Sequence, residues 1–395
     1  MLSVVEAHAR LMALFAPLPV ETIPLASAGG RVLARDVVAT RDQPPFAASA
    51  MDGYAVRAHD ASAGAGLRVI GASQAGARFA GAVGPGEAVR IFTGAPMPEG
   101  ADAVALQEDV DRTGDAITLR LGAASGENVR PAAGDFAAGD RVTGPRRLSP
   151  ADVALIAAMN ASEIDVTRRP VVALIPTGDE LGPPGAALGP DQIVASNSFG
   201  LKAMLERVGA EVRLLPIARD TPEHLVAVLD LAGGADLIVT LGGASVGDFD
   251  LVQRTAIARG LALDFYKVAI RPGKPLLAGR FGAQILIGLP GNPVSAMVCG
   301  RLFVQSAVEK MLGLIGALPD RAPARLTGPV EANGPRTHYV RARIEPGANG
   351  WRCTPFARQD SSLLTVLAAA NGLMVRAPDD PPRFAGDLVE FVWTW

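Results

Sequence analysis

Between Pro170 and about Gly313 the chain alternates uninterrupted apolar runs with helix-like segments, and this alternation restricts the fold more than any other feature. VVALI precedes a polar turn and SFGLKAMLERVG; VRLLPI precedes a helix opened by Thr221 and Pro222. DLIVTL precedes a second glycine turn and helix, and QILIGL a long helix ending near Met311. A strand apolar on both faces must be covered on both, and helical connections make neighbouring strands parallel. Residues 170–316 therefore read as a doubly wound α/β domain. In such sheets ligands bind beyond the carboxyl ends of the strands.

The flanking segments follow other patterns. Residues 1–16 predict an amphipathic helix stopped by Pro17 and Pro19, and SPADVALIAAMNA predicts a second, with Ser149 as cap and Pro150 in its first turn. From Phe46 to Asp140, short alternating runs separated by glycine turns predict a small β domain. Residues 317–395 predict a C-terminal β domain from THYVRARI, GLMVRA and DLVEFVW. These patterns divide the chain into segments 1–45, 46–140 and 141–169, the α/β domain 170–316 and the β domain 317–395, an α/β plus β chain.

Charge excludes several function classes. The 37 Lys and Arg nearly balance the 40 Asp and Glu, so no general field draws nucleic acid or acidic membrane surfaces. Any anion must be held by a local cluster. Cys299 and Cys353 fit neither a disulfide framework nor a zinc motif and read as buried thiols, and the four histidines show no ligand spacing. The N-terminal segment is interrupted by Glu6 and Arg10, and no uncharged run reaches spanning length, so a cytoplasmic protein is expected.

Polar residues collect at four strand ends: Thr177, Gly178, Asp179 and Glu180; Asp220; Gly242, Gly243, Ser245, Asp248 and Asp250; and the turn from Pro290 to Ser295. In that last turn Asn292 can cap a helix through its side-chain oxygen, Pro293 suits the first helical position, and Gly291 lets a ligand approach the backbone. YKVAIRPGKP adds Lys267, Arg271 and Lys274 around one glycine turn. Carboxylates repel an oxyanion unless a cation stands between them, and oxygen-only ligands favour a hard ion such as Mg²⁺, completed by water and substrate phosphate. The competing reading has the acids capping helices and the bases covering a solvated surface. With neither a P-loop nor a GxGxxG fingerprint, nucleotide triphosphate hydrolysis and dinucleotide binding have no specific support.

SAMDGYAV, IFTGAPMPEGAD, GENVRPAAGDF, PTGDEL, GGASVGDFD, IRPGKP and GLPGNPVSAM, in this order, resemble the molybdopterin molybdenumtransferase (MoeA) family, which includes the E domain of gephyrin. The resemblance runs from about residue 2 to residue 390 and implies an elongated subunit, with the β domain 46–140 inserted into a scaffold of 1–45 and 141–169, in a homodimer that joins molybdate to adenylylated molybdopterin, with Mg²⁺-dependent release of AMP. By position it implies catalytic roles for Asp52, Thr93, Glu180, Asp220, Asp250, Lys267 and Lys274, and metal binding by Glu180, Asp248 and Asp250. Substrate binding falls to Thr177, Gly178, Asp179, Gly242, Gly243, Ser245, Arg271, Pro290, Gly291, Asn292, Pro293 and Ser295. Other molybdenum cofactor synthesis proteins are the implied further partners. Two departures stand out: Arg271 replaces a common lysine, and Asp360, Ser361 and Ser362 replace a glycine-containing serine turn. The rival readings are a molybdopterin adenylyltransferase, whose GGTG turn and Arg-Asp pair this chain lacks, and a receptor-clustering scaffold.

Overall fold

A computed structural model describes residues 1–243 and 251–395. They divide into two compact units: Met1–Glu21, Gly30–Ala34 and Val166–Trp395 form one, and Thr22–Gly29 with Arg35–Asp165 the other.

In the larger unit the four apolar runs form adjacent parallel strands in the order Glu211–Leu214, Val171–Pro176, Leu237–Leu241 and Gln284–Leu289. Leu277–Phe281 and Leu261–Tyr266 extend the sheet, and Leu277–Phe281 runs antiparallel to both of its neighbours. The sheet is therefore mixed. Val172, Leu174, Val239 and Ile287 face one core with helices Asn197–Arg207 and Pro293–Cys299, while Ala173, Ile175, Ile238 and Leu286 face a second core with helices Pro222–Leu231 and Leu251–Ala258. In Val171–Pro176, Leu237–Leu241 and Gln284–Leu289 burial on both faces keeps the strands apolar, at roughly 1.5–3 kcal/mol for each large side chain removed from water, whereas the edge strand Glu211–Leu214 fully buries Val212 alone.

The expected N-terminal helix spans Val4–Met12, with a Ser3/Glu6 capping box, and buries Val4, Ala7 and Leu11 at helical spacing. The long helix after Gln284–Leu289 is interrupted by a π-helical segment, Gly300–Val304, before Gln305–Met311. A C-terminal sheet follows the order Ile270–Arg271, Thr337–Gly347, Gly350–Pro355, Ala322–Leu326, Leu388–Trp393, Gly372–Arg376. Thr337–Gly347 also pairs with Gly372–Arg376, so the last five strands close into a barrel.

The smaller unit carries a six-stranded sheet ordered Ala103–Leu106, Gly53–Val56, Glu87–Ile91, Gly66–Ser73, Ala116–Leu119, Val110–Thr113. The helix Pro150–Ala158 also belongs to it, with the Ser149 cap bonded to Asp152.

Candidate functional site at the carboxyl edge of the α/β sheet

Strand register assembles the first part of the site. Pro176 lies opposite Leu241, and Leu241 opposite Leu289, so the next residues, Thr177, Gly242 and Pro290, emerge together at the carboxyl edge. The Thr177 and Gly242 amides donate to the Leu241 and Leu289 carbonyls at 2.9 and 3.1 Å. Gly242 has φ +102°, and a Cβ there would lie 2.6 Å from the Thr177 carbonyl oxygen, so only glycine fits. A Cβ on Gly291 would stand 3.4 Å from the Gly242 Cα, which brings the turn after Gln284–Leu289 hard against the turn after Leu237–Leu241. The Asn197 side chain fixes that turn by donating to the Gly291 carbonyl at 2.7 Å.

These strand ends open onto a cavity of about 450 Å³ whose lining includes Thr177, Glu180, Ser196, Gly291, Asn292, Pro293 and Ser362. A second cavity, about 330 Å³, is lined by Arg271, Lys274, Asn292, Ser295, Arg336, His338, Arg341, Asp360 and Ser361. Asn292 belongs to both. Its side chain does not cap the helix as the sequence suggested; it donates to the Ser361 hydroxyl at 2.5 Å, and the Val294 amide donates to the Ser361 carbonyl at 3.0 Å. Bonding to the 356–363 segment replaces the cap, and the helix still opens with Pro293 in its first turn.

The second cavity is cationic. Gly273, at φ +112°, turns the Arg271–Lys274 loop over Cys299, whose sulfur would lie 2.3 Å from a Cβ at that position. The Arg341 guanidinium, only 1% exposed, donates to Gln359 Oε1 at 3.2 Å and to the Asp360 carbonyl at 2.9 Å. Arg336 donates to the Ile270 carbonyl at 3.3 Å. Burial first, and then the charges of Arg271, Arg376, Arg336 and Arg341, push the His338 imidazole down to about 4. Among the described residues Asp360 is the one carboxylate lining this cavity; the Ser362 hydroxyl and amide, with help from Arg341, hold it below its usual value.

The other expected residues fall into separate groups. Asp179 and Asp220 each accept the other's backbone N–H, at 3.3 and 3.4 Å, and line neither cavity. Gly178, whose amide donates to the Ala218 carbonyl at 3.0 Å, Gly243 and Pro290 sit at the strand ends outside both linings. Lys267 is placed differently from Arg271 and Lys274: its ammonium lies 4.7 Å from the Tyr266 ring centroid and lines neither cavity. Asp52 and Thr93 belong to the smaller unit. Because Gly53 pairs with Ile91, the preceding Asp52 meets Thr93, whose amide and hydroxyl both donate to Asp52 Oδ1, at 2.7 and 2.8 Å. Those bonds, with Arg90, hold the Asp52 carboxyl below its usual value. Ser245, Asp248 and Asp250 lie outside the described residues. Among the described residues no three His, Cys, Asp or Glu side chains gather into a metal cluster, and Glu180 is the only carboxylate lining the first cavity.

Arg336, His338, Arg341, Gln359 and Asn197 had no place in the sequence-based site. THYVRARI reads as an alternating strand, and its one available signal was an arginine, Arg341, at a position the barrel buries. Both thiols are buried, as their neighbours suggested.

Comparison with known proteins follows the same architecture. Residues 2–160 match the MoeA N-terminal region (domain I and II), 173–310 a probable molybdopterin binding domain, and 323–393 the MoeA C-terminal region (domain IV). The chain belongs to the MoeA family. It is 36% identical to molybdopterin molybdenumtransferase 2 of Mycobacterium tuberculosis over 403 residues, covering 98% of each chain. To the molybdopterin molybdenumtransferase of Staphylococcus aureus it is 32% identical over 397 residues, covering 98% of this chain and 94% of the relative. The crystal structure of the molybdopterin biosynthesis MoeA protein from Pyrococcus horikoshii superposes with a TM-score of 0.85 at 30% identity, over 100% of this chain and 99% of that one.

Proposed function

We propose that this MoeA-family chain is a molybdopterin molybdenumtransferase, inserting molybdate into adenylylated molybdopterin with release of AMP. The observation that carries the reading is the pair of adjoining cavities that share Asn292, one lined by bare strand ends and Glu180, the other by Arg271, Lys274, Arg336 and Arg341. A tetrahedral oxoanion suits the second cavity, where a planar guanidinium fork and a compact ammonium converge. The nucleotide-pterin suits the first, which offers strand-end backbone, the Thr177, Ser196 and Ser362 hydroxyls and the close approach that Gly291 allows.

Arg271 and Lys274 hold and orient the oxoanion; Thr177, Gly291, Asn292 and Pro293 position the diphosphate beside it. Bringing the two together replaces a bimolecular encounter with a fixed geometry, and preorganised cations favour the charge that develops on the leaving phosphate. Glu180 has no ion-pair partner among the described residues and faces the first cavity, which suits a hard ion that keeps waters and takes one or two carboxylates plus phosphate. Mg²⁺ held there, with Asp248 and Asp250 as further ligands, would neutralise phosphate charge. The working unit is a cytoplasmic homodimer in which Asp52 and Thr93 of one subunit serve the α/β domain of the other.

The test is to incubate the protein with adenylylated molybdopterin, molybdate and Mg²⁺ and to follow AMP and formed cofactor. AMP release that requires molybdate supports the assignment. Formation of adenylylated pterin from ATP and molybdopterin would reassign the chain to the preceding step.

A further inference from the structure

His338 occupies a position in the cationic cavity that the proposed reaction leaves without a role. In strand register it faces Arg271 on one neighbouring strand and Arg376 on the other, with Arg336 just before the start of its own strand and Arg341 lining the same cavity. An imidazole held between arginines has no electrostatic reason to carry a proton while the cavity contains only water. That balance reverses when a dianion enters. We propose that His338 takes up a proton from solvent as a tetrahedral oxoanion binds in this cavity, and that the resulting imidazolium donates its N–H to an oxygen of the bound anion. The inference rests on the oxoanion reading above and assigns a residue and a proton to it.

The charged groups around His338 have distinct states. Arg376 is neutralised by Asp380 and also donates to the Glu331 and Pro381 carbonyls. Arg341 is engaged by Gln359 and the Asp360 carbonyl, and Arg336 by the Ile270 carbonyl. Arg271 and Lys274, from the loop opposite, make no ion pair among the described residues, so their charge is free to meet the anion. From the 356–363 segment, Asp360 is the only carboxylate among the described residues that lines the cavity, tied to Ser362 and influenced by Arg341 and Arg358. Asn292 and Ser295 carry no charge. With a free-cavity value of about 4, His338 is neutral at pH 6 in all but ~1 in 100 molecules. An opposite charge within about 4–6 Å raises a cation's pKa by ~1–3 units, enough to fill much of this site near pH 6. No bond of the anion breaks in this step; one solvent proton moves to a ring nitrogen.

Calorimetric titration of the full chain with micromolar molybdate at pH 6, in two cationic buffers of different ionisation enthalpy, counts protons taken up per anion. Roughly half a proton or more is expected at pH 6, falling towards zero by pH 8. In His338→Gln the uptake should vanish while molybdate still binds. Uptake at Asp360 would instead survive that substitution. Histidine-labelled NMR of the wild-type chain gives a readout independent of the variant: one of the four imidazoles should titrate low and move up by ~2 units with saturating molybdate. Binding without uptake, uptake retained in His338→Gln, or imidazole titrations unmoved by molybdate would overturn the inference and leave the oxoanion site standing. Failure of the wild type to bind molybdate at all would sink both.

Discussion

Arg341→Met separates charge from packing in the cationic cavity. The wild-type guanidinium is buried and staples the 356–363 segment through Gln359 Oε1 at 3.2 Å and the Asp360 carbonyl at 2.9 Å; the same segment delivers Ser361 to Asn292. Hydrogen bonds from a charged donor contribute about 1.5–3 kcal/mol each, and cavity water replaces part of that, so the variant should lose about 2–4 kcal/mol of local stability. The anion loses more than a staple. At an effective dielectric constant near 20, a unit charge about 5 Å from a dianion contributes up to ~6 kcal/mol, of which screening by cavity water leaves roughly 2–3. Molybdate affinity should therefore fall about 30- to 150-fold, by calorimetry at neutral pH. Arg341→Lys keeps the charge but loses the planar fork, so it should recover most of the affinity and little of the stability. A folded Arg341→Met protein that binds molybdate within about twofold of wild type would refute the placement of the oxoanion.

Other perturbations address separate parts of the account. Lys274→Ala should abolish molybdate binding at micromolar concentration, whereas Glu180→Gln should leave it intact and stop molybdate-dependent AMP release; equal effects on both assays would contradict a division between two cavities. Gly242→Ala forces a left-handed alanine 2.6 Å from the Thr177 carbonyl oxygen, and strain of this kind costs about 1–3 kcal/mol or more, read as a lowered melting temperature and lost AMP release. Asp52→Asn should destabilise the smaller unit at neutral pH. Because the folded Asp52 carboxyl sits below its usual value, its stabilisation is present above that value and fades as pH falls through the folded one, so wild-type and variant melting temperatures should converge below about pH 4. A gap that persists in acid would assign the effect to packing.

The α/β sheet was legible because burial on both faces writes itself into sequence as apolar runs, and the four runs became adjacent parallel strands, the edge strand Glu211–Leu214 being the one that carries Arg213 and leaves Glu211 and Leu214 exposed. Leu277–Phe281 was harder to read: it belongs to a hairpin with Gln284–Leu289, and its Ala, Gly and Arg residues carry no apolar run. Glu180, Asn292 and Lys274, which line the two cavities, could be singled out beforehand because strand-end turns advertise themselves through glycine, proline and polar residues. Arg336, His338 and Arg341 could not, since they reach the second cavity only after Thr337 and His338 pair in parallel with Ile270 and Arg271, a long-range contact with no local signature. Asn292 shows the reverse error: the local cap chemistry was sound, but a partner 69 residues away takes its side chain. Lys267, grouped by sequence with Arg271 and Lys274, lies over Tyr266 because its own backbone turns at φ +69° before the loop begins.

The central claim is that a tetrahedral oxoanion sits between the Arg271–Lys274 loop and Arg341, next to the strand-end cavity across Asn292. Anomalous diffraction at the molybdenum edge, from crystals soaked in molybdate, locates that atom without reference to activity. A peak within hydrogen-bonding reach, through its oxygens, of Arg271, Lys274 and Arg341 is the predicted result. A single ordered peak elsewhere, with this cavity holding only solvent, would contradict the account.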